Sequence, residues 1–405
     1  MKTEKKYNIT IVGAGLVGSS LALALALQSN DFNIAVLEKH RFDCTDNTQR
    51  DRRPIVLSYG TMMVFKRLKV WESLIPCATK IKRVTVSEKS AFGATHFSAD
   101  EEKLPALGYV LPFYELRHIL YQRMASEKKI TIIPVSELLS IENRSKKKAK
   151  LIIETTTGKV TIQTDLVAAC DGARSSVREL LGIKNYEKDH GKHALTATIT
   201  LCRMYDGTAH QRFTKDGVLA ILPLAHSTST IDKPQCAFIW TMKIEKLKDV
   251  NNWDKNTFIK NIQQSFSNQL PPIQEIAIDR SYPLHTSFIT EDVHPHVVLL
   301  GNAAHTLYPL AAQGFNLGCR DAQCLANIIS KAHQTFKPLG SLSVLQEYKT
   351  SRARDQKCIR HFTSSMIKVF LCHFPLMSPI RGLSLLTVDL LLPLKKHLTK
   401  QLLGL

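Results

Sequence analysis

The stretch from Tyr7 to Glu38 constrains this chain more than any other. Tyr7-Asn-Ile-Thr-Ile-Val-Gly13 is a short apolar run ending in glycine, and reads as a buried strand. Leu16 to Gln28 is rich in Ala and Leu, with one internal Gly and no Pro, so it reads as a helix. Ile34-Ala-Val-Leu-Glu38 reads as a second strand. Together these form a βαβ unit, which commits the chain to a parallel sheet. The turn is Gly13-Ala14-Gly15-Leu16-Val17-Gly18, the pattern G-x-G-x-x-G, and Glu38 follows twenty residues after Gly18. Glycines there let the backbone approach a pyrophosphate at the helix N-terminus, and the carboxylate accepts from ribose hydroxyls. The pattern is weak alone. With strand, helix and acid in register it points to an adenine dinucleotide. An acid at that position favours a free 2′-OH, as in FAD or NAD, over the NADP phosphate.

The chain has 405 residues, 44% of them hydrophobic, enough for a large core and two lobes. Lys and Arg number 54 against 35 Asp and Glu, leaving +19. Such a surplus suits nucleic acid, an anionic membrane surface or an acidic partner. No nucleic-acid motif is present and the basic residues are not interleaved with aromatics, so no nucleic-acid partner is expected. Attraction to a membrane or to an anionic cofactor is the better expectation, beside plain solubility charge. Nine cysteines without a C-x-x-C pattern argue for reduced thiols and a cytoplasmic protein. Met1 to Lys6 is short and charged, so no signal peptide is expected. No apolar run reaches about 18 residues, so no spanning helix is expected.

Two further stretches have the same strand–turn–helix character. Asp165 to Cys170 is apolar and leads into Asp171-Gly-Ala-Arg-Ser-Ser-Val-Arg178, a turn with an N-cap serine. Val297 to Leu300 leads into Gly301-Asn-Ala-Ala-His-Thr-Leu-Tyr308-Pro-Leu-Ala-Ala-Gln313-Gly-Phe-Asn316, which enters a helical pattern. Ile130 to Val135 reads as another strand of the nucleotide sheet, Phe113 to Met124 as a helix, and Leu151 to Ile162 as a hairpin around Thr157-Gly158. From Thr48 the chain runs into Arg53-Pro-Ile-Val-Leu-Ser58 and a helical pattern over Thr61–Leu68. Between His193 and Lys243 apolar and polar residues alternate, as in Leu195–Leu201 and Cys236–Trp240, implying an antiparallel sheet. The end of the chain is leucine-rich and broken by Pro375, Pro379 and Pro393, with Lys395, Lys396 and Lys400 behind. It is either a helix packed on the core or a basic amphipathic surface for a membrane or partner complex. The expected fold is α/β. A discontinuous Rossmann-like domain (1–75, 100–185, 280–345) receives an inserted antiparallel-sheet substrate domain (76–99, 186–279), and a helical region (346–405) follows.

The three motifs in this order resemble the class A flavoprotein aromatic monooxygenases. Within that class the chain is similar to the ubiquinone-biosynthesis hydroxylases, most of all to the branch acting on 2-polyprenyl-6-methoxyphenol. Val84–Ser87, Arg212–Leu224, Ser281–Leu284 and the block from Val298 carry the likeness along nearly the whole chain. The resemblance implies FAD as cofactor, NADPH or NADH as transient reductant, and a polyprenylphenol and O2 as substrates. It implies that O2 adds at the flavin C4a and that the distal oxygen passes to an electron-rich ring carbon. Carried over residue by residue, it puts Gly13, Gly15 and Gly18 at the FAD pyrophosphate and Glu38 at the adenosine ribose. Arg53 and Arg117 match positions along the ribityl–phosphate length, and the backbone of Val135 meets adenine. Asp171 senses FAD and the nicotinamide cofactor. Gly301 and Asn302 face the ribityl chain and pyrophosphate. Gln313, Gly314, Phe315 and Asn316 turn backbone N–H groups to the flavin O2 edge, and Tyr308 and Pro309 lie beside the substrate.

The chain departs from the family at two places. Asn302 stands where Asp is usual, keeping hydrogen bonds but not charge. Ala312 replaces a Gly. No residue stands out as the phenol base. His305 is read as part of the loop rather than a proton carrier. His294-x-His296 and His190-x-x-His193 lack partner ligands, so no metal is expected. The alternatives are another ring position or aromatic substrate, or a silent flavin-binding subunit of a quinone-synthesis complex.

Overall fold

The computed structural model describes residues 4–29, 31–39, 51–89, 92–142, 148–224, 233–266, 269–370 and 377–405. The start of the segment expected from Thr48 and the break expected at Pro375 lie outside them.

The βαβ unit forms a sheet whose order is Val293–His294, Val297–Leu299, Gly158–Ala169, Glu4–Val12, Ile34–Glu38, Ile130–Pro134. The Gly158–Ala169, Glu4–Val12, Ile34–Glu38 and Ile130–Pro134 strands run parallel, and Val297–Leu299 joins them in the same sense. The helix Leu16–Gln28 is buried from Leu16 to Ala26 apart from Val17, because Ala and Leu line every side of it. It packs on the later helix Gln313–Gln334. The expected hairpin is present: Ala149–Thr155 pairs antiparallel with Gly158–Ala169, closing at Thr155 and Gly158.

The second sheet has eight strands, in the order His305–Thr306, Ile273–Ile289, Asn185–Leu201, Gln235–Lys243, Gly217–Pro223, Thr208–Thr214, Arg83–Glu88, Ala94–Ser98. It is antiparallel except where Thr208–Thr214 lies parallel to Arg83–Glu88. Its strand Ile273–Ile289 crosses the position expected as a boundary at 280. A small third sheet joins Pro54–Ser58, Gly108–Pro112 and Thr79–Ile81.

Three helices close the chain: Leu342–Phe370, Met377–Leu390 and Leu392–Leu403. Pro379 does not break the second of these, and Pro393 opens the third, because the first turn of a helix has no use for the N–H that proline lacks. Among the described residues no helix is long and apolar enough to cross a membrane.

Candidate functional site

The parallel strands end level with one another. Val12 pairs with Ala169 and Leu37, Ala169 with Leu299, and Glu38 with Pro134. Gly13, Cys170-Asp171, Leu300-Gly301, Glu38 and Val135 therefore leave the sheet along one edge. The chain fills the sheet outward from Glu4–Val12 to one side and then to the other. A crevice at the carboxyl ends of strands, where the order reverses, is where open α/β sheets bind ligands.

The glycines of the first turn do different work. Gly13 has φ +99°, and a Cβ there would lie 2.6 Å from the Cys170 carbonyl oxygen. A Cβ at Gly18 would lie 2.0 Å from the Gly13 carbonyl oxygen. Both positions are demanded by the fold. A Cβ at Gly15 would meet nothing within 4 Å, so the fold itself does not ask for glycine there. Glu38 reaches back to this turn, its Oε2 accepting from the Ala14 N–H at 2.6 Å, with Arg117 Nη2 at 3.9 Å from Oε1. The N–H of Val135 donates to the Glu38 carbonyl at 3.0 Å, leaving its carbonyl for any contact with a base.

The Asp-Gly motif is a clasp. Asp171 Oδ2 accepts from Ser176 Oγ and from the Val177 N–H, each at 3.1 Å. Ser175 caps the helix by accepting the Arg178 N–H. Arg178, 9% exposed, donates to the Ala173 carbonyl at 2.6 Å and the Ala303 carbonyl at 3.0 Å, tying the second loop to the third. Asp171 Oδ1 is buried and has no partner.

Gly301 has φ +56°, and a Cβ there would touch Val17 at 3.0 Å; one at Gly318 would approach it at 2.8 Å. The third loop is thus packed on the first. Asn302 is exposed. The helix Gln313–Gln334 starts from two alanines in the left-handed region, Ala311 at φ +53° and Ala312 at +51°. No side chain caps it. Left-handed backbone strains any residue with a Cβ, which is the physical reason glycine suits position 312. Asn316 donates to the Val56 and Ala312 carbonyls and accepts from the Ser58 N–H, so its side chain holds the helix start to a neighbouring strand. Gln313 is buried and donates to the Ala311 and Leu402 carbonyls, each at 3.1 Å. Gly314 is open, a Cβ there meeting nothing within 4 Å, and Phe315 is half-buried.

Arg53 is held by Asp51, Nε to Oδ2 at 2.8 Å, with its guanidinium over Tyr282 at 4.4 Å and Phe113 at 5.2 Å. Burial works against its charge, but Asp51 more than compensates. Tyr308 and Pro309 part company. Tyr308 is 1% exposed within an apolar cluster with Phe213, Val218, Leu284 and Leu385, while Pro309 is exposed. The Tyr308 hydroxyl has no hydrogen-bond partner at bonding distance, and burial raises its pKa. His190 packs edge-on against its ring, centroids 5.0 Å apart, and bonds Thr286. His296 bonds the Asp165 carbonyl.

His305 proves to be part of a buried charge network. Its Nε2 lies 2.8 Å from Asp321 Oδ2, whose other oxygen accepts from Arg352 Nε at 2.6 Å. Arg352 and Arg320 both bond Asp355. Burial would raise the pKa of Asp321, but His305 and Arg352 hold it below the usual carboxylate range. Sequence spacing does not reveal the contacts of Val17, Arg178, Asp321 and Arg352, because their partners are distant in the chain.

The residues fit FAD. The Gly15 turn and Gly314 offer open backbone, the helix start is uncapped, and Asp171 Oδ1 awaits a donor. A family model described as the FAD binding domain matches residues 6–361. The 3-demethoxyubiquinol 3-hydroxylase of Escherichia coli is 27% identical over 404 residues, covering 100% of each chain. The mitochondrial ubiquinone biosynthesis monooxygenase COQ6 of Homo sapiens is 25% identical, over 98% of this chain and 92% of that one. The crystal structure of p-nitrophenol 4-monooxygenase from Pseudomonas putida has a TM-score of 0.74 at 17% identity, over 99% of both chains, a likeness of fold. Because the family match takes in all three converging loops, the chain belongs to the FAD-binding-domain family, as an FAD-dependent monooxygenase that draws its electrons from NAD(P)H.

Proposed function

We propose that the reaction is ring hydroxylation of a polyprenylated phenol in ubiquinone biosynthesis, with 2-polyprenyl-6-methoxyphenol as the substrate. The observation that carries this reading is the course of the third loop. It starts at the FAD edge with Gly301 and ends in the apolar cluster of Tyr308 and Leu310, which the second sheet and the C-terminal helices share. A prenylated ring needs both surroundings at once, a cofactor edge for the ring and a dry apolar wall. The names of both relatives refer to ubiquinone or a ubiquinol.

FAD, when bound, would supply the hydride-accepting and O2-activating chemistry of ring hydroxylation, with NADPH or NADH as reductant. In this reading Gly13, Gly15 and Gly18 offer backbone to the pyrophosphate, and Glu38 accepts from the adenosine ribose with Arg117 beside it. The Val135 carbonyl meets adenine. Arg53, Asp171, Gly301 and Asn302 line the ribityl–phosphate length. Backbone N–H groups from Gln313 to Asn316 face the flavin O2 edge, favoured by the positive end of the helix. Tyr308 and Pro309 close the substrate side, and the Tyr308 hydroxyl would bond the substrate phenol. The apolar cluster keeps water from the reacting ring. Residues 1–75, 100–185 and 280–345 would form the cofactor domain, and 76–99 with 186–279 the substrate domain.

The name of the Escherichia coli relative favours a second reading, hydroxylation at a different ring position. Oxygen uptake driven by NADPH, with a short-chain 2-prenyl-6-methoxyphenol and a short-chain demethoxyubiquinol in parallel, separates the two. The proposal expects the methoxyphenol to stimulate uptake and yield a mono-oxygenated product by mass spectrometry. Product from the quinol alone would transfer the assignment to the second reading. Stimulation by neither would remove both.

A further inference from the structure

We propose that the leucine tip between the last two helices docks this protein on an anionic lipid bilayer. The helix Met377–Leu390 is already anchored on its inner side. Arg381 bonds Glu88 in a buried pair, Nε to Oε2 at 2.9 Å. Thr95 donates to the Leu385 carbonyl at 2.7 Å, and Asp389 accepts from the His96 N–H at 2.7 Å. Leu385 itself is 6% exposed, packed in the cluster that holds Tyr308. The outer side is nonetheless leucine. Leu383, Leu386 and Leu390 recur at helical spacing and are 65%, 40% and 69% exposed. Leu391 and Leu392 continue the patch at 51% and 59%. Phe92, fully exposed, neighbours Gly93, whose backbone lies against Gly382 and Leu386.

An apolar stripe on a helix whose core face is already occupied is not left over from folding. All five residues from Leu390 to Leu394 are exposed, Pro393 included. Successive residues at a helix junction point in different directions, so a rigid flat partner would cover only some of them. A fluid hydrocarbon layer can surround them all. Charge selects the lipid. Lys396 and Lys400 are exposed on the adjoining helix, whereas the buried Arg381 and Lys395 are spent on ion pairs with Glu88 and with Glu101 and Asp389. Apolar insertion beside a basic flank is the combination that binds anionic bilayers. A second copy of a chain carrying +19 would be repelled instead. The same helix thus presents leucines outward and covers the Tyr308 cluster inward, which would bring a prenylated lipid to the substrate side. That purpose rests on the proposed substrate; the docking does not.

The test uses the full-length holoenzyme with vesicles of phosphatidylglycerol and phosphatidylcholine, and of phosphatidylcholine alone, without substrate. The wild type should co-sediment with the anionic vesicles and less with the neutral ones. The triple variant L390S/L391S/L392S should bind about tenfold more weakly or worse, and K396E/K400E should lose the preference for anionic lipid. Both should keep their bound flavin. L391W should show a blue-shifted tryptophan emission on adding anionic vesicles, a readout that survives if the triple variant fails to fold. No binding by the wild type, equal binding by the triple variant, or an unshifted L391W spectrum would overturn the proposal. So would a wild-type dimer in solution that the triple variant converts to monomer, since the patch would then be a contact between copies.

Discussion

The edge of the parallel sheet and the apolar cluster over the second sheet are built by different means. At the sheet edge the working surface is backbone. Gly13 and Gly18 allow close approach, Gly15 leaves an open face, and Arg178 and Asp171 clasp loops through carbonyls and N–H groups. In the cluster it is side chain. Phe213, Val218, Leu284, Tyr308 and Leu385 come from five separate segments and meet only when the chain is folded. Backbone sites need particular residues at particular steps, because a Cβ blocks the close approach at Gly13 and Gly18 and strains left-handed backbone. Apolar clusters need volume, which many residues supply. One half of the molecule is therefore tied to its cofactor by sequence, and the other is free to vary with substrate.

The largest test of this contrast is Gly18→Ala. A Cβ 2.0 Å from the Gly13 carbonyl oxygen cannot be accommodated without moving the turn. The variant should lose flavin and unfold at a much lower temperature, read by absorbance near 450 nm and calorimetry. Retention of both would break the claim that the fold demands this glycine. Asp321→Ala comes next. It takes from His305 and Arg352 the carboxylate they share, leaving Arg352 to Asp355 alone, and should cost about 1–3 kcal/mol in denaturant unfolding, although Asp321 is not expected to touch cofactor or substrate.

The opposite face of the second sheet, where His210 packs against Tyr205 and Phe266, should show itself in acid. Burial holds His210 neutral, down to about 4 from 6.5. The unfolded chain takes up this proton below about 6.5 and the folded chain only near 4. Stability should fall as pH drops through that window, by up to about 3 kcal/mol, and His210→Asn should flatten the fall. An unchanged slope in the variant would remove His210 as the cause. Smaller still is Ala312→Gly. Relieving left-handed backbone at φ +51° should stabilise by about 1 kcal/mol. Smallest in stability is Tyr308→Phe. A buried hydroxyl without a partner contributes little, so the unfolding midpoint should stay or rise while hydroxylation slows. Slower turnover with unchanged flavin content is the outcome that ties Tyr308 to the substrate.

Much of the first region was legible from residues alone. The βαβ unit, its acid, the strand Ile130–Pro134, the hairpin at Thr157-Gly158 and the Ser175 cap all follow from local spacing, which is also where the physics acts. The clasp was not. Arg178 meets Ala303 across 125 positions, and no periodicity encodes that. The same holds for Gln313, whose side chain bonds the Leu402 carbonyl near the end of the last helix. The strand Ile273–Ile289 pairs with Asn185–Leu201 as far as Ile289, a long-range choice that local spacing does not announce. Tyr308 was expected beside substrate from resemblance. Its burial among side chains of the second sheet could not be read from its neighbours in sequence.

Gly15→Ala addresses the central claim most directly, because a Cβ there meets no protein atom within 4 Å. Fluorescence titration of the wild type and this variant with FAD, alongside thermal unfolding of both without it, separates cofactor from fold. The account predicts one FAD per wild-type chain, affinity about tenfold or more weaker in the variant, and the same unfolding midpoint. FAD bound as tightly by Gly15→Ala as by the wild type, or by neither, would contradict it.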